Sequence, residues 1–213
     1  MRPDDESDLR GAGARPAPAA QVCLTFDDGP DPRWTPRILE ILAQANARAT
    51  FFLVGRRALV HPALVRRVLA GGHLLGNHSF SHRHPWTMTA RAAREEVRAG
   101  AAAIADLAGQ APQFFRPPHG RLRRCMIEEA EHGGQQLVLW SRSAIDWGPF
   151  GRARAIARRL AATRAGDIVL MHDGGWGINR PRELIEVLPA FLVTLGRRGL
   201  VPGPLLRVAP DSA

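Results

Sequence analysis

What most restricts this chain is a repeated alternation of short apolar runs with helix-patterned stretches, starting at residue 21. "QVCLTF" (21–26) predicts a strand, and "PRILEILAQA" (36–45) an amphipathic helix with Ile38, Ile41, Leu42 and Ala45 on one face. "ATFFLVG" (49–55) predicts a strand, and "PALVRRVLAGG" (62–72) a helix with proline at its start and glycine past its end. "HLLGNH" (73–78) is a short strand, followed by a long Ala-rich helix over 89–109 that Thr89 caps and Gly109 ends. Strands over 113–117, 135–140 and 167–172 alternate with helices over 121–134, 152–163 and 182–199, the last interrupted near Pro189. A last short extended piece surrounds Leu200 and Val201. Strand–helix units repeated about seven times call for a parallel sheet, and a closed barrel is its natural form at that count.

The polar residues that stand out fall just past the ends of the apolar runs. Asp27 and Asp28 follow "CLTF", His78 and His82 follow "HLLGN", and Arg116 follows "QFF". Asp146 and Trp147 lie beyond "LVLW", and His172 and Asp173 end "IVLM". If the strands are parallel, all five groups meet on one rim, where such folds carry their chemistry.

Two adjacent aspartates at a strand end repel, and a bound cation is the simplest compensation. His78 and His82 are four residues apart, so one helical turn or tight loop presents both imidazoles to a single point. Two histidines and one carboxylate make a three-ligand site with open positions, the pattern of a catalytic metal. One aspartate would bind the ion while its neighbour stays free as a base. "DDGP" taken alone fits an Asx-type turn with solvated carboxylates equally well. His84 is out of phase with the pair and is expected on the surface or behind the ligands.

Five motifs match, in order, those of the polysaccharide deacetylases: "TFDDGP" (25–30), "HSFSH" (78–82), "RPPHG" (116–120), "IDW" (145–147) and "LMH" (170–172). The chain resembles the NodB-homology domain of carbohydrate esterase family 4. The resemblance implies a distorted (β/α) barrel of about seven parallel strands and hydrolysis of an N-acetyl group on an amino sugar. It implies one divalent metal ion, usually zinc; a His₂Asp site also accepts cobalt or nickel. Carried over, Asp27 is the general base, Asp28, His78 and His82 are the metal ligands, and Arg116 orients Asp27. His172 is the general acid, Trp147 lines the sugar groove, and Leu170 forms the pocket for the acetyl methyl. Position 119 supplies a backbone N–H to the oxyanion.

Two departures stand out. His119 replaces a tyrosine usual in the family, which alters the groove but keeps the backbone donor. Ser143 stands where the family usually carries an aspartate supporting the acid histidine. Serine cannot stabilise an imidazolium by charge, so a lower pKa of His172 is expected, unless Asp146 reaches the ring and substitutes. Ser143 is also the best support for an alternative, a pseudoenzyme that only binds glycans. Within the enzyme class, a deacylase of a small non-polymeric amide is the other alternative.

Composition narrows the rest. The 213 residues suit one full-sized domain, read as a catalytic domain over 21–213 behind a disordered leader over 1–20 that is rich in Pro, Ala and Gly. That leader lacks the apolar centre of a secretory signal, so a cytoplasmic location and a soluble N-acetylated sugar as partner are expected. No stretch approaches the length of a membrane span. The net charge of +9 comes from arginines spread as pairs, with no basic run and no interleaved aromatics, so no specific nucleic-acid partner is expected. Cys23 and Cys125 are too few for a disulfide framework, and Cys23 reads as a small buried hydrophobe. Oligomeric state is not legible in the sequence.

Overall fold

The computed structural model describes residues 20–207; the leader expected over 1–20 lies outside them save for residue 20. Among the described residues, eight strands form one sheet: β1 (Gln21–Asp27), β2 (Thr50–Leu53), β3 (Leu74–Asn77), β4 (Phe114–Phe115), β5 (Gln136–Leu137), β6 (Arg142–Ser143), β7 (Ile168–His172) and β8 (Val201–Gly203). Their order is β5-β4-β3-β2-β1-β7-β6, and every ladder is parallel. The C-terminal β8 pairs with Gln21–Cys23 of β1, on the edge that β2 takes over further along. The helices are α1 (Thr35–Gln44), α2 (Gly55–Val60), α3 (Pro62–Ala70), α4 (Ala90–Ala108), α5 (Arg124–His132), α6 (Ala153–Ala161) and α7 (Pro181–Arg197).

The sheet curls into a distorted barrel but does not close. Among the described residues no ladder joins β5 to β6. Only Gln136 and Leu137 of the strand expected over 135–140 are in β5. Beyond them, the carbonyls of Val138 and Leu139 accept hydrogen bonds from the Arg116 side chain instead of continuing a sheet edge. Two further differences from expectation concern helices. The short α2 has no period long enough to read, and α7 runs unbroken through Pro189. Pro189 is exposed, so the carbonyl it leaves without a helical donor can meet water.

Strand alternation decides which face carries chemistry. On β1, Val22, Leu24 and Phe26 join Phe51 and Leu53 of β2 and Val169 and Met171 of β7 in the main core. Ile38, Leu42, Ile156, Leu184 and Leu188 from α1, α6 and α7 cover that face. The intervening residues point into the curl: Cys23 with Phe52, Phe114, Val138 and Leu205 at its floor, then Thr25 and Asp27 above. Cys23 is buried there as expected, and burial pushes its thiol up to about 11. A separate apolar cluster holds α4 against α5 through Val97, Met126 and Ala130.

Candidate active site

The register of β1 with β7 sets Asp27 beside His172 at the carboxyl ends of two neighbouring strands. His78 follows β3, Arg116 follows β4 and Asp146 follows β6, so the expected rim is formed. A cavity of about 440 Å³ opens there, lined by Asp27, Asp28, His78, His82, His172 and Trp147 among others.

Asp28, His78 and His82 offer ligand atoms that lie within 4.8 Å of one another. Asp28 has φ +73°, a left-handed conformation that turns its carboxylate away from the strand line and is sterically unfavourable for a side chain. Its Oδ1 lies 2.9 Å from His82 Nε2 and 3.5 Å from His78 Nε2, yet it is buried without a hydrogen bond of good geometry. His78 Nδ1 lies 2.7 Å from the Arg116 carbonyl, so Nδ1 donates and Nε2 presents its lone pair. Burial pushes His78 down to about 4, which keeps it neutral as a ligand must be. Burial acts to raise the Asp28 carboxyl, but the close His82 imidazole and the charge of His172 hold it well below the usual range. Three lone-pair donors converging on one point fit a divalent cation.

The loop carrying the histidines is a tight one, with Ser79 and His82 at φ +63° and +59°. Asn77 anchors it, donating to the Val97 carbonyl and Gln135 Oε1 while accepting from Ser79 N–H. Glu96 of α4 accepts from the Ser81 backbone and hydroxyl. Helix α4 comes this near because Gly100 has no side chain; a Cβ there would lie 2.7 Å from the Ser79 carbonyl carbon.

Arg116 is completely buried and spans the curl. Its Nη1 donates to Asp27 Oδ1 at 2.7 Å and Thr25 Oγ1 at 2.8 Å, and its guanidinium lies 4.1 Å above the Phe52 ring. One Asp27 oxygen is thereby locked, while Oδ2 lies 3.8 Å from His78 Nε2.

Asp146 grips His172 twice. Its Oδ1 accepts from the ring Nδ1 and its Oδ2 from the backbone N–H, both at 2.8 Å. Burial alone would push the imidazolium toward neutrality, but the charge and hydrogen bond of Asp146, with the charges of Asp28 and Asp27, raise it to about 9. The lowered pKa expected from Ser143 is therefore corrected. Asp146 supplies the charge, and Ser143 Oγ instead accepts from Ile145 N–H in the turn after β6.

Trp147 packs edge-on against the His172 ring at 5.3 Å, and Leu170 is a buried wall of the same cavity. His119, at φ +59°, stacks on His84 at 5.3 Å and meets His82 edge-on at 4.6 Å, so His84 is linked to His82 through His119.

Sequence reasoning missed several residues. Trp140, Arg57, Trp176 and Asn179 also line the cavity. Arg57 donates to the Asp28 carbonyl and stacks on Trp176 at 4.4 Å. The segment 174–180 crosses the mouth: Gly175 N–H donates to Asp31, Gly148 N–H to the Ile178 carbonyl, and Arg180 N–H to the Asp146 carbonyl. Its glycine-rich "DGGWGIN", directly after His172, was the available signal.

The chain matches the sequence profile of the family described as "Polysaccharide deacetylase" over residues 14–138. It is 34% identical over 180 residues to a peptidoglycan-N-acetylglucosamine deacetylase of Bacillus cereus, covering 84% of this chain and 83% of that protein. A chitooligosaccharide deacetylase of Bradyrhizobium is 38% identical over 154 residues, covering 72% of this chain and 70% of that one. Among solved structures, a family 4 carbohydrate esterase from Streptomyces lividans, in complex with acetate, superposes with a TM-score of 0.80 at 31% identity, covering 92% of this chain and 96% of that one.

Proposed function

We propose, for a chain that belongs to the polysaccharide deacetylase family of carbohydrate esterase family 4, that it hydrolyses the N-acetyl group of an N-acetylated amino sugar with the help of one divalent metal ion, zinc being the first choice. The observation that carries the reading is the buried Asp28 Oδ1, facing two imidazole nitrogens without a hydrogen bond, directly beside Asp27 and His172. The relatives' substrates, peptidoglycan N-acetylglucosamine and chitooligosaccharide, support the sugar class.

Asp28, His78 and His82 would hold the ion. A bound divalent cation polarises the amide carbonyl and lowers the pKa of water from about 15.7 to about 7. Asp27, locked by Arg116 through one oxygen, takes the proton of the attacking water with the other. The backbone N–H of His119, in its left-handed turn, donates to the oxyanion as charge develops. His172 is held protonated by Asp146, and its Nε2 gives a proton to the departing amine, which would otherwise be too poor a leaving group. Leu170 receives the acetyl methyl and Trp147 packs against the sugar. Because Asp146 reaches His172, Ser143 no longer argues for a glycan-binding pseudoenzyme.

The test is acetate release from N-acetylglucosamine oligomers by the metal-free and zinc-restored protein, with products weighed by mass spectrometry. Activity abolished by chelation and restored by zinc is expected. Glycan binding without acetate release in zinc-loaded protein overturns the proposal.

A further inference from the structure

We propose that Asn179 is a positioning residue for the metal: it fixes which oxygen of Asp28 meets the ion. This rests on the metal-site reading above. Asn179 is half-buried, and its Nδ2 donates to Asp28 Oδ2 at 2.6 Å and to the Gly174 carbonyl at 3.0 Å. Both partners only accept, so the amide nitrogen, not the oxygen, must face them. The bond occupies Oδ2 and leaves Oδ1 to the two histidine nitrogens, where it has no other partner. Asp28 is thus presented through one oxygen, with a fixed orientation, before any ion arrives. Its backbone is held as well, because Arg57 donates to its carbonyl.

The position of Asn179 is itself fixed. Its backbone forms a bridge with Trp147, and the neighbouring Arg180 N–H donates to the Asp146 carbonyl at 2.8 Å. Carboxylate ligands commonly need such hydrogen-bonding partners, and losing one typically weakens metal binding by about 10–100-fold.

Zinc dissociation constants are measured by competition with a chromophoric chelator for the parent, Asn179→Ala and Asn179→Leu. Leucine keeps most of the volume without the donor. Thermal unfolding of the metal-free proteins runs alongside. The expected result is about 10–100-fold weaker zinc binding in both variants, with metal-free unfolding midpoints close to the parent's. A cobalt-loaded variant is also expected to show a changed visible spectrum, because the freed carboxylate alters the coordination. Parent-like zinc affinity and cobalt spectrum in a folded variant overturn the role of Asn179 while leaving the metal site standing. Variants that bind zinc weakly only because their metal-free forms are unfolded also overturn it, in favour of a purely structural role. A parent that binds no zinc removes the metal site and this role together.

Discussion

Removing the side chain of Asp27 should destabilise the protein as well as inactivate it. Arg116 is 0% exposed and Asp27 2% exposed, so water does not screen the 2.7 Å ion pair. Asp27→Ala leaves the guanidinium buried with neutral acceptors only: Thr25 Oγ1 and the carbonyls of Val138 and Leu139. Breaking a buried pair from one side costs about 3–5 kcal/mol. The neutral acceptors and the relieved repulsion with Asp28 set the expectation near the lower end, at about 3 kcal/mol. At this chain length that lowers the unfolding midpoint by about 6–12 °C. Asp27→Asn keeps an acceptor for Nη1 and should cost about 1–2 kcal/mol. The double variant Asp27→Ala/Arg116→Leu should be less destabilised than the sum of its single changes by about 2–3 kcal/mol. Urea and thermal unfolding followed by circular dichroism, in chelator so that no bound metal contributes, give all of these values. Single variants all within about 1 kcal/mol of the parent, or strict additivity in the double, would refute the reasoning.

Other outcomes follow from the same geometry. His172 is raised to about 9 from an ordinary 6.5, so its acid form is present at neutral pH and the rate should fall as pH rises through the alkaline limb. A cation neutralising Asp28 should move that limb below 9, and Asp146→Asn should move it further down; a pH–rate profile shows this. The stability that the imidazolium gains from Asp146 should be full below the unfolded pKa of about 6.5 and lost as pH climbs through the folded value, measurable as a declining unfolding free energy. Gly29→Ala would set a Cβ 2.2 Å from Asp173 Oδ2, which Thr35 holds in place; a loss of about 1–3 kcal/mol in chemical unfolding is expected, and an unchanged midpoint would count against it. Trp147→Ala should raise KM by about 2–10-fold with a smaller change in kcat, read from steady-state kinetics on an oligomer series.

Much of this was legible in the sequence because it depends on local periodicity. The alternation in "QVCLTF" and "DIVLMH" already separates Phe26 and Met171, which face the helices, from Asp27 and His172, which face the curl. Residue type and spacing in the aspartate pair and in His78 and His82 suggest the candidate metal site, and the family resemblance singles out Asp28 from Asp27. What escaped was set by contacts distant in sequence. The sequence offers Asp146 as a substitute partner for His172, 26 residues away, but does not show that it reaches the ring; Asn179 meets Asp28 151 residues away, and nothing local to either asparagine or serine reveals that Asn179 contributes and Ser143 does not. The open edge between β5 and β6 likewise depends on Arg116 drawing the carbonyls of Val138 and Leu139 to itself, from 22 and 23 residues away.

The segment crossing the cavity mouth is moored at both ends, to Asp31 near its start and to Asp146 at its finish, while Trp176 and Ile178 between them stand 45% and 66% exposed. Its span is therefore dictated by the chemistry on either side, whereas the two half-open side chains, both on the cavity wall and Trp176 under Arg57, shape what the mouth admits. A relative's residues set at 176–178, with Asn179 kept on Asp28, should shift substrate preference while leaving Asp28 in its place.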